Sequence, residues 1–141
     1  MRPKRVPNRD ERGMSLAVWA TLAMPAFVIA VGLGVDFAGH ATAEQECRAV
    51  AREAARSAGQ QVVSDLDGTP RLDTGAAKAA ARAMLDAEGY GGNIEIGGTT
   101  ITVNASGEYD TLFLGLIGVD RLPVDGTGTA DVARAFQGQR R

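Results

Sequence analysis

The side chains able to do acid–base, nucleophilic or metal chemistry are few in this sequence and stand apart. His40 is the only histidine, Cys47 the only cysteine, and neither Ser57 nor Ser64 has a base to activate it. A zinc site or a catalytic constellation needs several such groups converging on one point. A solitary His40 therefore reads as a helix-surface or interfacial residue. One cysteine gives no disulfide framework within the chain. Cys47 reads as a small buried apolar side chain, with pairing to a second molecule in an oxidising exterior as the alternative. Asp65 and Asp67 offer carboxylates that could loosely hold Ca²⁺, but their spacing does not match an EF-hand loop. The expectation is a chain that is not an enzyme, with no catalytic residue, cofactor or metal site.

One string looks sharper than this. Asp65-Leu66-Asp67-Gly68-Thr69 resembles the nucleophile motif of haloacid-dehalogenase-type phosphatases. Its context denies the chemistry. That motif ends a buried parallel strand, whereas here it follows an Ala- and Arg-rich helical stretch, and too few residues follow to build a doubly wound sheet.

The element that must organise the chain is Met14 to Val35, MSLAVWATLAMPAFVIAVGLGV, which holds no charged residue. About 20 predominantly apolar residues suffice for a helix to cross a bilayer. Arg2, Lys4, Arg5, Arg9 and Arg12 precede it, and Asp36, Glu44 and Glu46 follow it. Positive residues stay on the cytoplasmic side, so the expected topology is a single span of the inner membrane, N-terminus inside and C-terminal domain outside. A secretory signal cleaved after Ala43, at Ala41-Thr42-Ala43, competes, but the apolar run exceeds the usual 7–15 residues of such a signal. The divisions read from the sequence are a basic leader at 1–13, the transmembrane helix at 14–35, an extracytoplasmic domain at 36–136 and a polar tail at 137–141. The formal net charge is −2, and the basic leader carries much of the positive charge. The exported part is thus acidic, which argues against nucleic-acid binding.

Small residues dominate the contacts expected in and beyond the span. Ala17, Ala20, Ala23, Gly32 and Gly34 permit close helix–helix approach, and Pro25 removes one backbone hydrogen bond and should bend the helix. From Phe37 to about Val63 the helical period continues, with Cys47, Val50, Ala51, Ala54, Ala58 and Val62 on one stripe and Arg48, Arg52 and Arg56 on another. Glu44 is placed to pair with Arg48. Ser64 to Asp73 reads as a loop. Thr74 to Glu88 reads as a second helix, capped by Asp73 or Thr74 and ended by Gly89, and Tyr90 to Gly92 as a turn.

The period then changes to two. Asn93–Ile96 and Thr99–Asn104 form a hairpin through Gly97-Gly98, with Ile94, Ile96, Ile101 and Val103 on one face. Leu112 to Val119 is apolar but too short to span. It is either buried beneath the long helix or a partly exposed patch that touches lipid or a neighbouring subunit. Leu122 to Ala135 alternates again, with the small residues Val124, Gly126, Gly128, Ala130 and Val132 on one face, thin enough for the Cys47–Val62 stripe to lie close against it.

This order of features resembles the TadE/TadG-like proteins of Tad (Flp) pilus systems, minor pilins or pseudopilins of the type IV pilus superfamily. The likeness rests on Asp10-Glu-Arg-Gly-Met-Ser-Leu-Ala-Val-Trp19, on the Pro25-containing span ending Gly-Val-Asp36, and on Leu112-Phe-Leu-Gly-Leu-Ile-Gly118 followed by Val124 to Ala133. It implies a pilin-like α+β fold, a long N-terminal helix packed on a small antiparallel sheet with a second short helix. It implies processing by a prepilin peptidase between Gly13 and Met14. It also implies a role in assembling, priming or anchoring a pilus, with membrane lipid, other pilins and the pilus assembly platform as partners and no small-molecule substrate. The fifth residue after the implied cut, a glutamate in ordinary type IV pilins, is Val18 here. An anchored accessory or binding subunit of another cell-envelope complex, not built into a filament, is the alternative.

Overall fold

The uncharged run and the alanine stripe behind it contain only one strong helix breaker, and the chain passes through it. In the computed structural model, which describes residues 10–68 and 70–132, helix α1 runs unbroken through Asp10–Gly59. At about 1.5 Å per residue it is about 75 Å long. Pro25 lies inside it, leaving the Thr21 carbonyl without its usual helical donor. Residues 1–9 and 133–141 lie outside the described residues, and with them most of the basic leader and the whole polar tail. The last residues assigned to the leader, from Asp10, are already helical.

Beyond α1 the chain forms a small α+β body. Helix α1 stops at Gly59, not near Val63, because Val62–Ser64 (β1) pairs antiparallel with Pro70–Leu72 (β2). The stretch read as a plain loop is thus a short hairpin around Gly68, whose φ is +79°. Helix α2 spans Thr74–Ala87. The Asp73 side chain accepts from the Ala76 N–H at 2.9 Å, a cap contributing about 1 kcal/mol. Gly89, at φ +76°, turns the chain out of the helix, the left-handed conformation that glycine adopts without a Cβ penalty.

A three-stranded antiparallel meander follows: β3 at Gly91–Gly97, β4 at Thr100–Asp110 and β5 at Arg121–Asp131, in that spatial order. Two details correct the sequence reading. Gly91 and Gly92 belong to β3 rather than to a turn, and Gly97 pairs with Thr100, so the two-residue link is Gly98-Thr99 rather than Gly97-Gly98. Gly98 supplies the positive φ that this link needs. The shared face holds: Ile94 lies opposite Val103 and Ile96 opposite Ile101.

The core is made mostly of small side chains. Cys47, Ala51, Ala54, Ala55 and Ala58 of α1 meet Ile101, Val103, Ala105 and Val124 of the sheet, with Ala77, Ala81 and Leu85 of α2 closing one side. Gly126 and Gly128 of β5 face α1 with no side chain between. A Cβ on Gly126 would stand 2.5 Å from the Arg48 nitrogen, and one on Gly128 would overlap the backbone of Ala51 and Arg52. Close approach, not large rings, fills this interior. Arg48, Arg52 and Arg56 are exposed, and Arg48 pairs with Glu44 at 3.3 Å as the spacing predicts.

Candidate functional site: the seam between the apolar helix and the Leu112 loop

The stripe of α1 that holds the sheet does not begin at Cys47. Followed toward the N-terminus at steps of three and four, it runs through Ala43, His40 and Gly39, Asp36 and Gly32, so it reaches into the uncharged run. At each of these levels the body of the protein touches the helix. The His40 Nε2–H donates to the Pro123 carbonyl at 2.9 Å, and its ring meets Tyr109 edge-on at 6.2 Å between centroids. Tyr109 crosses Gly39 so closely that a Cβ there would overlap its hydroxyl. At Gly32 a Cβ would lie 2.6 Å from the Phe113 ring.

Asp36 is the centre of this seam and is fully buried. Its Oδ1 accepts from the Leu112 N–H at 2.7 Å, and its Oδ2 accepts from the N–H groups of Phe113 and Leu114 at 2.9 and 2.6 Å. These donors open the 3₁₀ turn Leu114–Ile117 (η1), whose first N–H groups have no partner within the turn. Burial alone would push the Asp36 carboxyl up, but the three backbone donors together hold it below its ordinary value. Asp36 is therefore an anionic clip that fixes the β4–β5 connection onto α1.

That connection, read from the sequence as either buried or a partly exposed patch, is the latter. Leu116 is 82% exposed and Ile117 75%. Both project beside Val28, Ile29 and Leu33 of α1, and together with Phe113 they form an apolar cleft between helix and loop.

The residues expected to carry processing and subunit packing fall into two groups. Gly13 and Met14 lie within α1. Ala17, Ala20, Ala23 and Pro25 lie on its exposed N-terminal half, and Gly34 is open, with nothing within 4 Å of its Cβ position. Gly32 differs: it is buried under Phe113 of its own chain. Cys47 is buried, in keeping with its bland reading. Burial first, and then the Asp125 carboxylate, push its thiol up. Among the described residues no group of three or more His, Cys, Asp or Glu side chains could hold a metal ion. Asp65, in the candidate phosphatase string, pairs with Arg71 on the surface.

No family model, curated protein or solved structure matches this chain. The seam itself holds the residue that the sequence reading passed over. Asp36 served there only as a flanking charge. The available signal was its phase: it sits four residues after Gly32 and four before His40, in register with the alanine stripe. A carboxylate on the buried stripe of a helix needs partners.

Proposed function

We propose that this protein is a membrane-anchored pseudopilin-type subunit, a minor pilin that takes part in assembling, priming or anchoring a Tad-type pilus. One observation carries the reading: a single helix, Asp10–Gly59, is apolar and exposed from Leu16 to Val31 and backed by a small antiparallel sheet over its second half. Its apolar part is long enough to cross a membrane. In this reading the span holds the subunit in the inner membrane after export. On assembly the same helix is re-buried among neighbouring helices, with Ala17, Ala20, Ala23 and Gly34 allowing close contact. This reading requires no small-molecule substrate. The prepilin peptidase is the expected processing partner. Because Gly13 and Met14 lie within α1, the scissile bond has to unwind locally before it can be cut.

An anchored accessory subunit that never enters a filament is favoured by one feature. Gly32, among the small residues available for subunit packing, is already covered by Phe113. The mature N-terminus, measured by intact mass on protein purified from its own cells, separates the readings. A start at Met14 supports the pseudopilin. A start at Met1 refutes peptidase processing and leaves the anchored accessory subunit, and a start at Glu44 removes the anchor altogether.

A further inference from the structure

We infer that the Leu112–Val119 loop is a second membrane contact: a wedge inserted into the outer leaflet beside the span, with the lipid bilayer as its partner. The inference rests on the reading of α1 as a transmembrane helix and adds to it a place for the loop.

The level of the loop along α1 carries the argument. Leu116 and Ile117 share a cleft with Val28 and Ile29, which lie seven and eight residues before Asp36, about 10–12 Å along the helix axis. The uncharged helix between Arg12 and Asp36 is about 35 Å long at the same rise, and the hydrocarbon core is about 30 Å thick. Wherever that core is centred between the two charges, Val28 and Ile29 lie within it. Side chains that flank them and point outward then meet lipid. The loop backbone itself stays higher, near Gly32 and Asp36, a depth similar to the roughly 5–10 Å reached by interfacial helices.

A second observation is independent of depth. Backbone near the hydrocarbon is costly unless its polar groups are already paired. Here Thr111 N–H donates to the Asp120 carbonyl, and those of Leu112, Phe113 and Leu114 to Asp36. Leu116, Gly118 and Val119 donate to carbonyls within the loop, and the Thr111 hydroxyl donates to the Val119 carbonyl. No charged residue lies between Asp110 and Asp120. The loop is thus uncharged and largely self-satisfied in hydrogen bonds, yet it shows its apolar side chains outward. The bare face is continuous with the span, which points to lipid as its cover.

The test uses the full chain in phosphatidylethanolamine–phosphatidylglycerol vesicles at low protein density, with an environment-sensitive fluorophore on one introduced cysteine at a time. Leu116→Cys reports the wedge, Leu22→Cys the span and Leu66→Cys the aqueous side. All three side chains are exposed, so labelling spares the core. The buried Cys47 stays unlabelled, and the parent chain serves as its blank. The Leu116 label is expected to be quenched by nitroxide-bearing lipid and shielded from iodide, as the Leu22 label is, with Leu66 showing the reverse. A Leu116 label that behaves like Leu66, or that is shielded from both quenchers because protein covers it, overturns the wedge while leaving the span intact. A Leu22 label that lipid nitroxide fails to quench overturns the span reading, and the wedge with it.

Discussion

Gly126 and Gly128 let β5 lie directly on α1, and giving each a methyl group tests whether that contact holds the domain together. A Cβ at Gly126 would stand 2.5 Å from the Arg48 nitrogen and 2.6 Å from the Cys47 carbonyl carbon. Optimal separations begin near 3.5 Å, so the strand and helix must part by roughly 1 Å. The atoms in the way are backbone, which no rotamer change can move aside. Overpacking of this kind costs about 1–3 kcal/mol, and the upper end applies here because a gap of that width also forfeits up to about half the dispersion of neighbouring contacts. Removing a strand glycine gives back about 0.5–1 kcal/mol. The net expectation is a loss of about 2 kcal/mol for Gly126→Ala or Gly128→Ala, or roughly 8–16 °C in melting temperature for a domain of this size. Gly97→Ala is the matched control: it is also a strand glycine, without positive φ and with nothing within 4 Å of its Cβ position. It should be neutral or slightly stabilising. The assay follows the temperature at which Cys47 becomes reactive to a maleimide–polyethylene glycol reagent, read as a gel shift, because Cys47 is buried in the core shared by α1, α2 and the sheet and is exposed when that core opens. Equal transition temperatures for Gly128→Ala and Gly97→Ala would refute the close-approach argument.

Three further outcomes are expected. Asp36→Asn replaces one acceptor oxygen with a donor facing backbone N–H groups, so the Leu112–Val119 loop should become more sensitive to proteolysis; because the native carboxyl is held below its ordinary value, its stabilising effect is complete above about pH 4 and disappears as pH falls through the lower folded value, which an acid titration of the same cleavage would follow. Gly32→Leu should loosen that loop by displacing Phe113, whereas Gly34→Leu, with open space around it, should leave the isolated subunit unchanged and reduce co-purification with other subunits; equal effects on loop proteolysis would contradict the seam. Alkylation of Cys47 at pH 8 should be far slower than that of an exposed thiol, since burial and Asp125 both disfavour the thiolate, and rapid native-state labelling would show that the core around Cys47 does not stay closed.

Much of the fold was legible because its signals are local. The uncharged run, the alanine stripe, the Asp73 cap with Gly89 as stop, and the alternation of Ile94, Ile96, Ile101 and Val103 each fall within one window of sequence. The small face of β5 even announced which helix it would meet. The boundaries were less legible for a physical reason. Val62 continues the helical stripe, yet pairing with Leu72 claims it for a strand, and Gly97-Gly98 is as good a turn string as Gly98-Thr99 until the register of Gly97 with Thr100 decides. Tertiary pairing overrode local pattern in both places. The seam was the least legible part. Asp36 and the Leu112 loop are 76–78 positions apart in the bonds they share, and no window joins them. A charge beside an apolar run also has a ready meaning as a topology signal, which hid its second role as a clip.

The distance between those partners has a consequence for how the chain is made. Helix α1 is synthesised first, but the strand that covers it, β5, is the last element of the described residues. At ordinary synthesis rates of about 5–20 residues per second, roughly 3–12 s separate the appearance of the stripe from that of its cover. Throughout that interval only α2 and then β4 can cover part of the stripe, and closing contacts over such separations is slow in any case. Had it been built of leucine and valine, it would present an adhesive ridge to every neighbouring nascent chain. A ridge of alanine and glycine presents far less apolar area while it waits, and still packs tightly once β5 arrives.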